Sequence, residues 1–477
     1  MNQYFLHEFR MGVFFNSDSL YTPQLVTDLK ASFSNLSDWQ LSRAPSFIDI
    51  FVFYLINLFV SGYFSIICFA IIQIVVAYWL VYKVFTFKFS TTFSLQLTAF
   101  SFLGVLILLL DGFHPYLIIL KSAHHFSEYL VWGVLSIIYF KQIYKPTINN
   151  FILVILLNFI QIISDQLIVV HFLIPAVITS FILVLKGLVD KKKTLLFLIA
   201  LVLSSIVALI LSFKIQGGNG SSTPVEFNIE AIHNDFLRLI KLLSTITSGS
   251  LLVAISFVVF WMGFLITFYK RGLKETSHIY FLVMSFVTIT TILILPNNNL
   301  LFRYLLPVLY TPVLLYSYYF PKKYEKNLNK PLFFLILTGF LHVALTAPTG
   351  EWNNEFYPDH VKCVDNHVEF ADSKNIAGGF WDGRHISYLS KVGANVQPFR
   401  GNLHIDNTVS NIKKVKQKYS YVLIDKRNEK GLQEINVIKK IGSPNTVISC
   451  PNYQLFVYNE NSLVVDDKGF LVKNEVE

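Results

Sequence analysis

Long apolar runs recur throughout this chain of 477 residues and restrict what it can fold into. A helix needs about 20 mostly apolar residues to cross the hydrocarbon core of a bilayer. Runs of about that length lie near residues 62–83, 94–110, 125–140, 150–164, 168–187, 194–213, 249–269, 277–295, 299–319 and 331–346. Only 14% of residues are charged, against about 25% in soluble proteins. The sequence therefore predicts a mainly α, polytopic membrane helix bundle of about ten spans.

Lysine and arginine are distributed unevenly between the loops that join these runs. One set of alternate loops carries about 15 of them, in groups such as 186–193 and 322–330, and the opposite set carries about five. The more positive loops are expected on the cytoplasmic side. Residues 1–61 and the tail from 347 are then predicted on the outer side. The net charge of +9 lies in the membrane part, so it does not indicate a nucleic-acid partner.

The two ends of the chain are predicted to form separate domains. Residues 1–61 are an outer N-terminal segment in which SFIDIFVFYLINLF, residues 46–59, either lies in the membrane interface as a helix or runs into the first span. Residues 4–15 are too short and charged to span, so either the native start lies upstream or they are an interfacial remnant. Residues 62–346 form the transmembrane domain.

Residues 347–477 have the pattern of a small extracytoplasmic α/β domain. Strands are predicted at 420–425 and 453–458, and helices at 409–418 and 431–441. Cys363 and Cys450 both lie in this tail. They either form a disulfide in an oxidising compartment or remain two buried thiols.

Three polar residues near the second predicted outer loop are candidates for chemistry. Lys121, His124 and Glu128 are spaced three or four residues apart, which on a helix places a cation, an imidazole and a carboxylate on one face. Such a face suits phosphate binding or proton transfer. The alternative is an interfacial helix end whose polar groups meet headgroups and water. Neighbouring His124 and His125 point to different helix faces, so they are not a metal signature by themselves.

Two further positions lie at the edges of predicted spans. Asp165 sits between two spans in a tight hairpin, where an aspartate also serves as a helix N-cap. Arg303 and Tyr304 follow a polar stretch, and the guanidinium either grips a lipid phosphate bidentately or extends to ordinary phospholipid headgroups. Nucleotide-loop, zinc-protease and serine-hydrolase motifs are absent from the sequence, which argues against ATP-driven transport and zinc proteolysis.

An outer acidic N-terminal segment, a short interfacial helix, about ten spans, the element FRYLLPVL at 302–309 and an outer α/β tail together resemble the GT-C integral membrane glycosyltransferases. Within that superfamily the chain resembles protein mannosyltransferase-like and aminoarabinose transferase-like proteins. Asp18, in NSDSLYTPQL, looks like the acid of the first outer loop. Pro45, in APSFIDIFVF, is the single match to the His-Pro-Pro motif that many members carry there.

This resemblance implies inverting transfer of a sugar from a polyprenyl-phosphate donor to a saccharide, lipid or protein acceptor at the outer face of a bacterial inner membrane. Asp18 is then the catalytic base, and Arg303 with Lys121 neutralises the leaving phosphate. His124 and Glu128 orient the sugar or the acceptor. The substrate-binding set is completed by Asp165 and Tyr304. No cofactor is certain, and assistance by a divalent metal ion stays open.

Two other classes of function fit the same residues. A transporter or flippase of a lipid-linked saccharide would use the same charges to line a pathway, and would predict intramembrane polar residues on several helices and inverted repeats. A noncatalytic scaffold would use the outer tail to bind partners.

Overall fold

A computed structural model of the chain describes residues 11–474, except residues 12, 43, 61, 111–113, 216–228, 272–275, 295–301, 347–355, 407, 408 and 428–430. The helices before the tail are α1 Ser17–Ala31, α2 Phe47–Ile56, α3 Tyr63–Thr86, α4 Thr91–Leu110, α5 Phe126–Tyr144, α6 Ile148–Ser164, α7 Ile174–Leu185, α8 Lys191–Ile215, α9 Ile229–Gly249, α10 Leu251–Arg271, α11 Thr276–Ile294, α12 Leu306–Leu315 and α13 Glu325–Thr346. The tail contains α14 Asp359–Val368, α15 Phe380–Leu389, α16 Ile412–Val415 and α17 Glu434–Ile441, with strands β1 Asn375–Gly379, β2 Asn395–Phe399, β3 Tyr421–Asp425, β4 Thr446–Cys450, β5 Tyr453–Val457, β6 Leu463–Val465 and β7 Leu471–Lys473.

The chain divides into two compact units. One, here called the tail unit, consists of residues 1–42, 53–57 and 349–477. The other, the bundle unit, consists of residues 43–52 and 58–348. The N-terminal segment thus belongs mostly with the C-terminal tail, although more than 300 residues separate them in sequence.

Six helices of the described residues are long and apolar enough to cross a membrane. They are Tyr63–Thr86, Thr91–Leu109, Lys191–Ile215, Leu251–Lys270, Thr276–Ile294 and Lys322–Leu345. Each corresponds to one of the ten predicted spans. The membrane character of the chain is therefore confirmed. Of the ten predicted spans, six correspond to helices of spanning length.

The other four predicted spans are shorter, interrupted or less uniformly apolar. Helix α6 and the apolar helix Val169–Leu185 have at most 17 residues. The predicted span at 299–319 is divided into a 3-10 turn at Phe302–Leu305, helix α12 and a second 3-10 turn at Tyr316–Tyr319. Pro307 and Pro312 lie in α12. Because proline lacks the N–H that continues a helical ladder, these residues favour a broken segment here.

Tyr144, at the end of α5, lines one cavity with Val84 and Phe87 at the end of α3, and a second cavity with Lys193 at the start of α8. These helix ends therefore lie together, and we call them the lysine end of the unit. Side-chain hydrogen bonds join some of the packed helices. The Asn158 amide donates to the Ser205 hydroxyl at 2.8 Å between α6 and α8. Such polar contacts are characteristic of helices that associate in an apolar solvent.

The tail unit is built on a five-stranded sheet with strand order β2-β1-β3-β5-β4. Strands β1, β2 and β3 pair in parallel, while β5 runs antiparallel to both β3 and β4. The strands predicted at 420–425 and 453–458 correspond to β3 and β5, and β3 is buried along its full length. The helix predicted over 409–418 is limited to the four residues of α16. A small α/β region at the C-terminus is confirmed.

Asp28 of α1 joins the N-terminal segment to the tail through one buried carboxylate. It accepts hydrogen bonds from the Trp39 indole at 2.9 Å, the Asn411 amide at 2.9 Å and the Lys414 ammonium at 2.7 Å. At the other end of α1, the Arg384 guanidinium donates to the carbonyl of Ser17 at 2.8 Å. A carboxylate with several donors is satisfied in a buried position, so Asp28 stabilises this packing.

A disulfide joins Cys363 of α14 to Cys450 of β4, with 5.8 Å between their Cα atoms. This decides between the two alternatives left by the sequence in favour of pairing. Cys68 is a free thiol.

We predict that the denatured but unreduced protein takes up one maleimide per chain, at Cys68, and three after reduction. A covalent link across 87 residues also restricts the conformations of the unfolded chain. The double variant Cys363→Ala/Cys450→Ala is therefore expected to lose about 2–5 kcal/mol of tail-unit stability.

Mass spectrometry after maleimide labelling checks the predicted thiol count. Three adducts before reduction would contradict the disulfide.

Candidate functional site: a buried acid–histidine cluster

Three carboxylates and three histidines of the bundle unit lie close enough to interact electrostatically. We call this set the acid–histidine cluster; it consists of Asp49, His124, His125, Glu128, Asp165 and His171. Its three carboxylic residues are all buried. Because charged groups are costly inside an apolar helix bundle, each member needs a specific partner.

The turn that carries the first two histidines is strained. Ala123 and His125 have φ angles of 54° and 65°, in the left-handed region that residues other than glycine rarely adopt. Each such residue costs roughly 1–2 kcal/mol. Asp49 of α2 stabilises the turn by accepting the backbone N–H of Ala123 at 2.7 Å and a hydrogen bond from Ser127. Strain held in place by a buried side chain is typical of functional sites.

Asp165 bonds both to its own hairpin and to the turn that precedes α5. One carboxylate oxygen accepts the backbone N–H of Leu167 at 3.1 Å, which is the capping role considered from the sequence. The other oxygen pairs with Nδ1 of His125. The helix break therefore positions a histidine as well as ending a helix.

Glu128 and His171 form the most deeply buried pair of the cluster. Nδ1 of His171 lies 3.0 and 3.1 Å from the two carboxylate oxygens of Glu128, and Nε2 lies 3.1 Å from the carbonyl oxygen of Tyr304. A carbonyl only accepts, so Nε2 carries a proton. The proton between His171 and Glu128 can then reside on either residue while the net charge of the pair stays zero.

The local fold around His171 follows from Pro175. A proline four residues after His171 has no N–H to donate to the His171 carbonyl, and the chain forms a π-helical turn over Val169–Leu173. The Tyr280 hydroxyl donates to that freed carbonyl at 3.3 Å. In the sequence, the feature that could have indicated His171 is a histidine four residues before a proline within an apolar run.

Two cations lie beside the cluster. Lys121 and Arg303 are both partly buried, and both act electrostatically on His124. Burial and then these positive charges lower the pKa of His124 to about 3. Nδ1 of His124 is 2.7 Å from the carbonyl oxygen of Ser122, so Nδ1 carries the proton of the neutral ring and Nε2 presents a lone pair.

Six of the seven predicted site residues belong to the bundle unit: Lys121, His124, Glu128, Asp165, Arg303 and Tyr304. The structure brings them together, although the predicted helical face is wrong for its first two members. Helix α5 begins at Phe126, so Lys121 and His124 lie in the preceding turn. Only Glu128 is helical, and it faces His171.

Asp18, the predicted catalytic base, belongs to the tail unit. It lies in the first turn of α1, where its charge acts on the Arg384 guanidinium. The predicted site residues did not include Asp49, His125 or His171. Asp49 is recognisable in retrospect as the one acidic residue of an apolar helix.

Within the described part of the chain, no group of three or more histidine, cysteine, aspartate or glutamate side chains is arranged to hold a metal ion. A scan against protein-family models finds no match to the chain, and a search of curated proteins finds no similar sequence. The GT-C resemblance therefore stays a prediction that depends on the motifs quoted above.

We predict that Glu128→Ala destabilises the bundle unit by about 3–5 kcal/mol, because it leaves a buried imidazole without its charge partner. Glu128→Gln keeps an acceptor for the Nδ1–H of His171 and should lose less. Thermal unfolding in detergent, followed by loss of monodisperse protein, checks the comparison. Equal melting temperatures for wild type and Glu128→Ala would show that the pair is not a stabilising element.

Proposed function

We propose that this protein is a membrane glycosyltransferase that moves a sugar from a polyprenyl-phosphate donor to an acceptor. The observation that carries the proposal is the buried acid–histidine cluster with Lys121 and Arg303 beside it. Ionisable residues buried in an apolar helix bundle commonly mark a functional site. Here the residue types match the two needs of this reaction, a base and a set of cations.

The chemistry is a displacement at the anomeric carbon of the sugar. The acceptor oxygen forms a bond to that carbon while the bond to the phosphate oxygen breaks, and the polyprenyl phosphate leaves with the electron pair. A carboxylate takes the acceptor proton. Lys121 and Arg303 neutralise the negative charge that develops on the phosphate, and His124 accepts a hydrogen bond from a sugar or acceptor hydroxyl through Nε2.

Two carboxylates are candidates for the base. Asp18 is the position indicated by the family resemblance, whereas Asp49 belongs to the same unit as the two cations. Burial raises the pKa of Asp49 to about 6, against the opposing effect of its hydrogen bonds. A base of that pKa is well matched to a site working near neutral pH.

The Cys363–Cys450 disulfide supports an extracytoplasmic position for the tail, because structural disulfides persist in oxidising compartments. The lysine-rich loops of the bundle unit support the same orientation. We propose that the transfer reaction occurs at the outer face of a bacterial inner membrane.

The test is transfer from radiolabelled polyprenyl-phosphate sugars in membranes, with wild type, Asp18→Asn, Asp49→Asn and Arg303→Ala at matched expression. Removing the general base should lower the rate by about 100-fold or more. Asp467→Asn, an exposed change in the tail, is the control and should keep full activity. Loss in only one of the two other aspartate variants identifies the base. Undiminished transfer by both Asp18→Asn and Asp49→Asn would show that neither residue is the base.

We further predict that transfer falls as the pH drops through about 6. The raised pKa of Asp49 means that the carboxylate is ionised above this pH and protonated below it, where it cannot accept a proton. His124 stays neutral throughout this range because its pKa is about 3. The kcat/KM profile of wild type between pH 4.5 and 8 measures the effect. A flat profile would exclude Asp49 as the base.

Transport of a lipid-linked saccharide is the second candidate. It is favoured by one observation, that Glu128 and His171 can exchange a proton deep inside the bundle unit. Buried acid–histidine pairs of this kind occur in proton relays of transporters. Purified protein in liposomes separates the two functions: translocation without sugar transfer would support the transporter and contradict the glycosyltransferase.

A further inference from the structure

We propose that a cavity in the bundle unit binds the hydrocarbon chain of a lipid phosphomonoester, with the phosphate at Lys141 and Lys145. No residue of the acid–histidine cluster is among the described residues that line this cavity, and the proposal does not depend on the proposed function. The proposed ligand is an alkyl or isoprenyl monophosphate. The experiment below distinguishes it from ordinary phospholipid.

The cavity has a volume of about 540 Å³ and is lined by α3, α5, α10, α11, α12 and the turn Tyr316–Tyr319. That volume lies within the range of small-molecule sites in proteins. Aromatic rings supply much of the lining, including Trp132, Phe140, Phe260, Phe264 and Phe281. Such a surface favours a hydrocarbon chain over a polar ligand.

Around Tyr280 and Thr311 the polar atoms of the cavity lining are hydrogen-bonded within the protein. The Trp132 indole donates to the Tyr280 hydroxyl at 3.1 Å, and that hydroxyl donates to the His171 carbonyl at 3.3 Å. The Tyr129 hydroxyl lies 3.3 Å from the hydroxyl of Thr311. An occupant therefore meets ring faces and edges at this depth, which suits an apolar chain.

The opposite end of the cavity opens at the lysine end of the unit. Its lining there includes exposed residues, among them Phe87, Tyr144 and Ser277. Lys145 follows Trp132 by 13 residues along α5 and its C-cap, so the cavity extends about 20 Å at the helical rise. A cavity of this length fits an extended hydrocarbon chain better than a compact ring-shaped ligand.

Charge identifies the head group. Among the described lining residues, the two that carry a charge are Lys141 and Lys145, which are one helical turn apart and exposed. A phosphomonoester carries a charge of about −1.5 to −2 at neutral pH and presents three acceptor oxygens. Two ammonium groups match that charge more closely than the single charge of a phosphodiester.

Lysines near a helix C-terminus also occur at membrane boundaries for general reasons, through the helix dipole and lipid headgroups. Lys191 and Lys192 provide a matched comparison. They lie at the same end of the unit, at the start of α8, and they do not line the cavity. If the lysines act only by general electrostatic attraction, removing either pair should weaken binding equally. At the proposed site, only the removal of Lys141 and Lys145 should weaken it.

The experiment photolabels the full chain in detergent with hexadecyl monophosphate that carries a diazirine near the chain terminus. Labelled peptides are expected from α5 and α11, and hexadecyl monophosphate should compete better than hexadecanol or methyl hexadecyl phosphodiester. Lys141→Ala/Lys145→Ala should weaken binding about three- to tenfold, as expected for two exposed ionic contacts, and Lys191→Ala/Lys192→Ala should leave it unchanged.

Val84→Trp fills the cavity and should abolish the labelling of α5 and α11. If that variant does not purify as a monodisperse protein, Ser277→Trp at the mouth serves the same purpose. Labelling that persists in the folded filling variant overturns the proposal. Equal competition by the phosphodiester, or equal weakening by both lysine pairs, overturns the assignment of a phosphomonoester and indicates ordinary phospholipid.

Discussion

The burial of the Glu128–His171 pair is the constraint on which the arrangement of the bundle unit depends. An imidazole and a carboxylate without water need their hydrogen bonds from the protein, and both ring nitrogens of His171 have such contacts. The contacts join α5, the π-helical turn and the 3-10 turn that contains Arg303 and Tyr304. Three segments distant in sequence are therefore held together by one buried pair.

Irregular backbone gathers at the same site. The left-handed residues Ala123 and His125, the π-helical turn before Pro175 and the 3-10 turn at Phe302–Leu305 all surround the acid–histidine cluster. In an apolar environment, each carbonyl or N–H released from a regular helix needs another partner. Asp49, Tyr280 and His171 provide such partners, which explains why polar side chains and broken helices occur together.

The two candidate bases, Asp18 and Asp49, belong to different units of the chain. The helix that carries Asp18 packs with the tail through Asp28, Ser17 and Arg384, so the acidic N-terminal segment is a structural part of the tail unit. Asp49 has a different environment, being buried in the bundle unit beside the strained turn that it stabilises. Two acidic residues close in sequence thus have distinct physical roles.

The sequence by itself determined the membrane character, the small α/β tail and most of the polar residues that the bundle unit brings together. These follow from local properties: apolar runs of spanning length, short alternating strands, and charges placed where burial is expensive. Tertiary structure alone decided that His171 partners Glu128, that Asp49 supports the 120–125 turn, and that residues 1–42 join the tail. Each of these depends on contacts between residues far apart in the chain, and neither hydropathy nor local spacing records which distant segments will pack together.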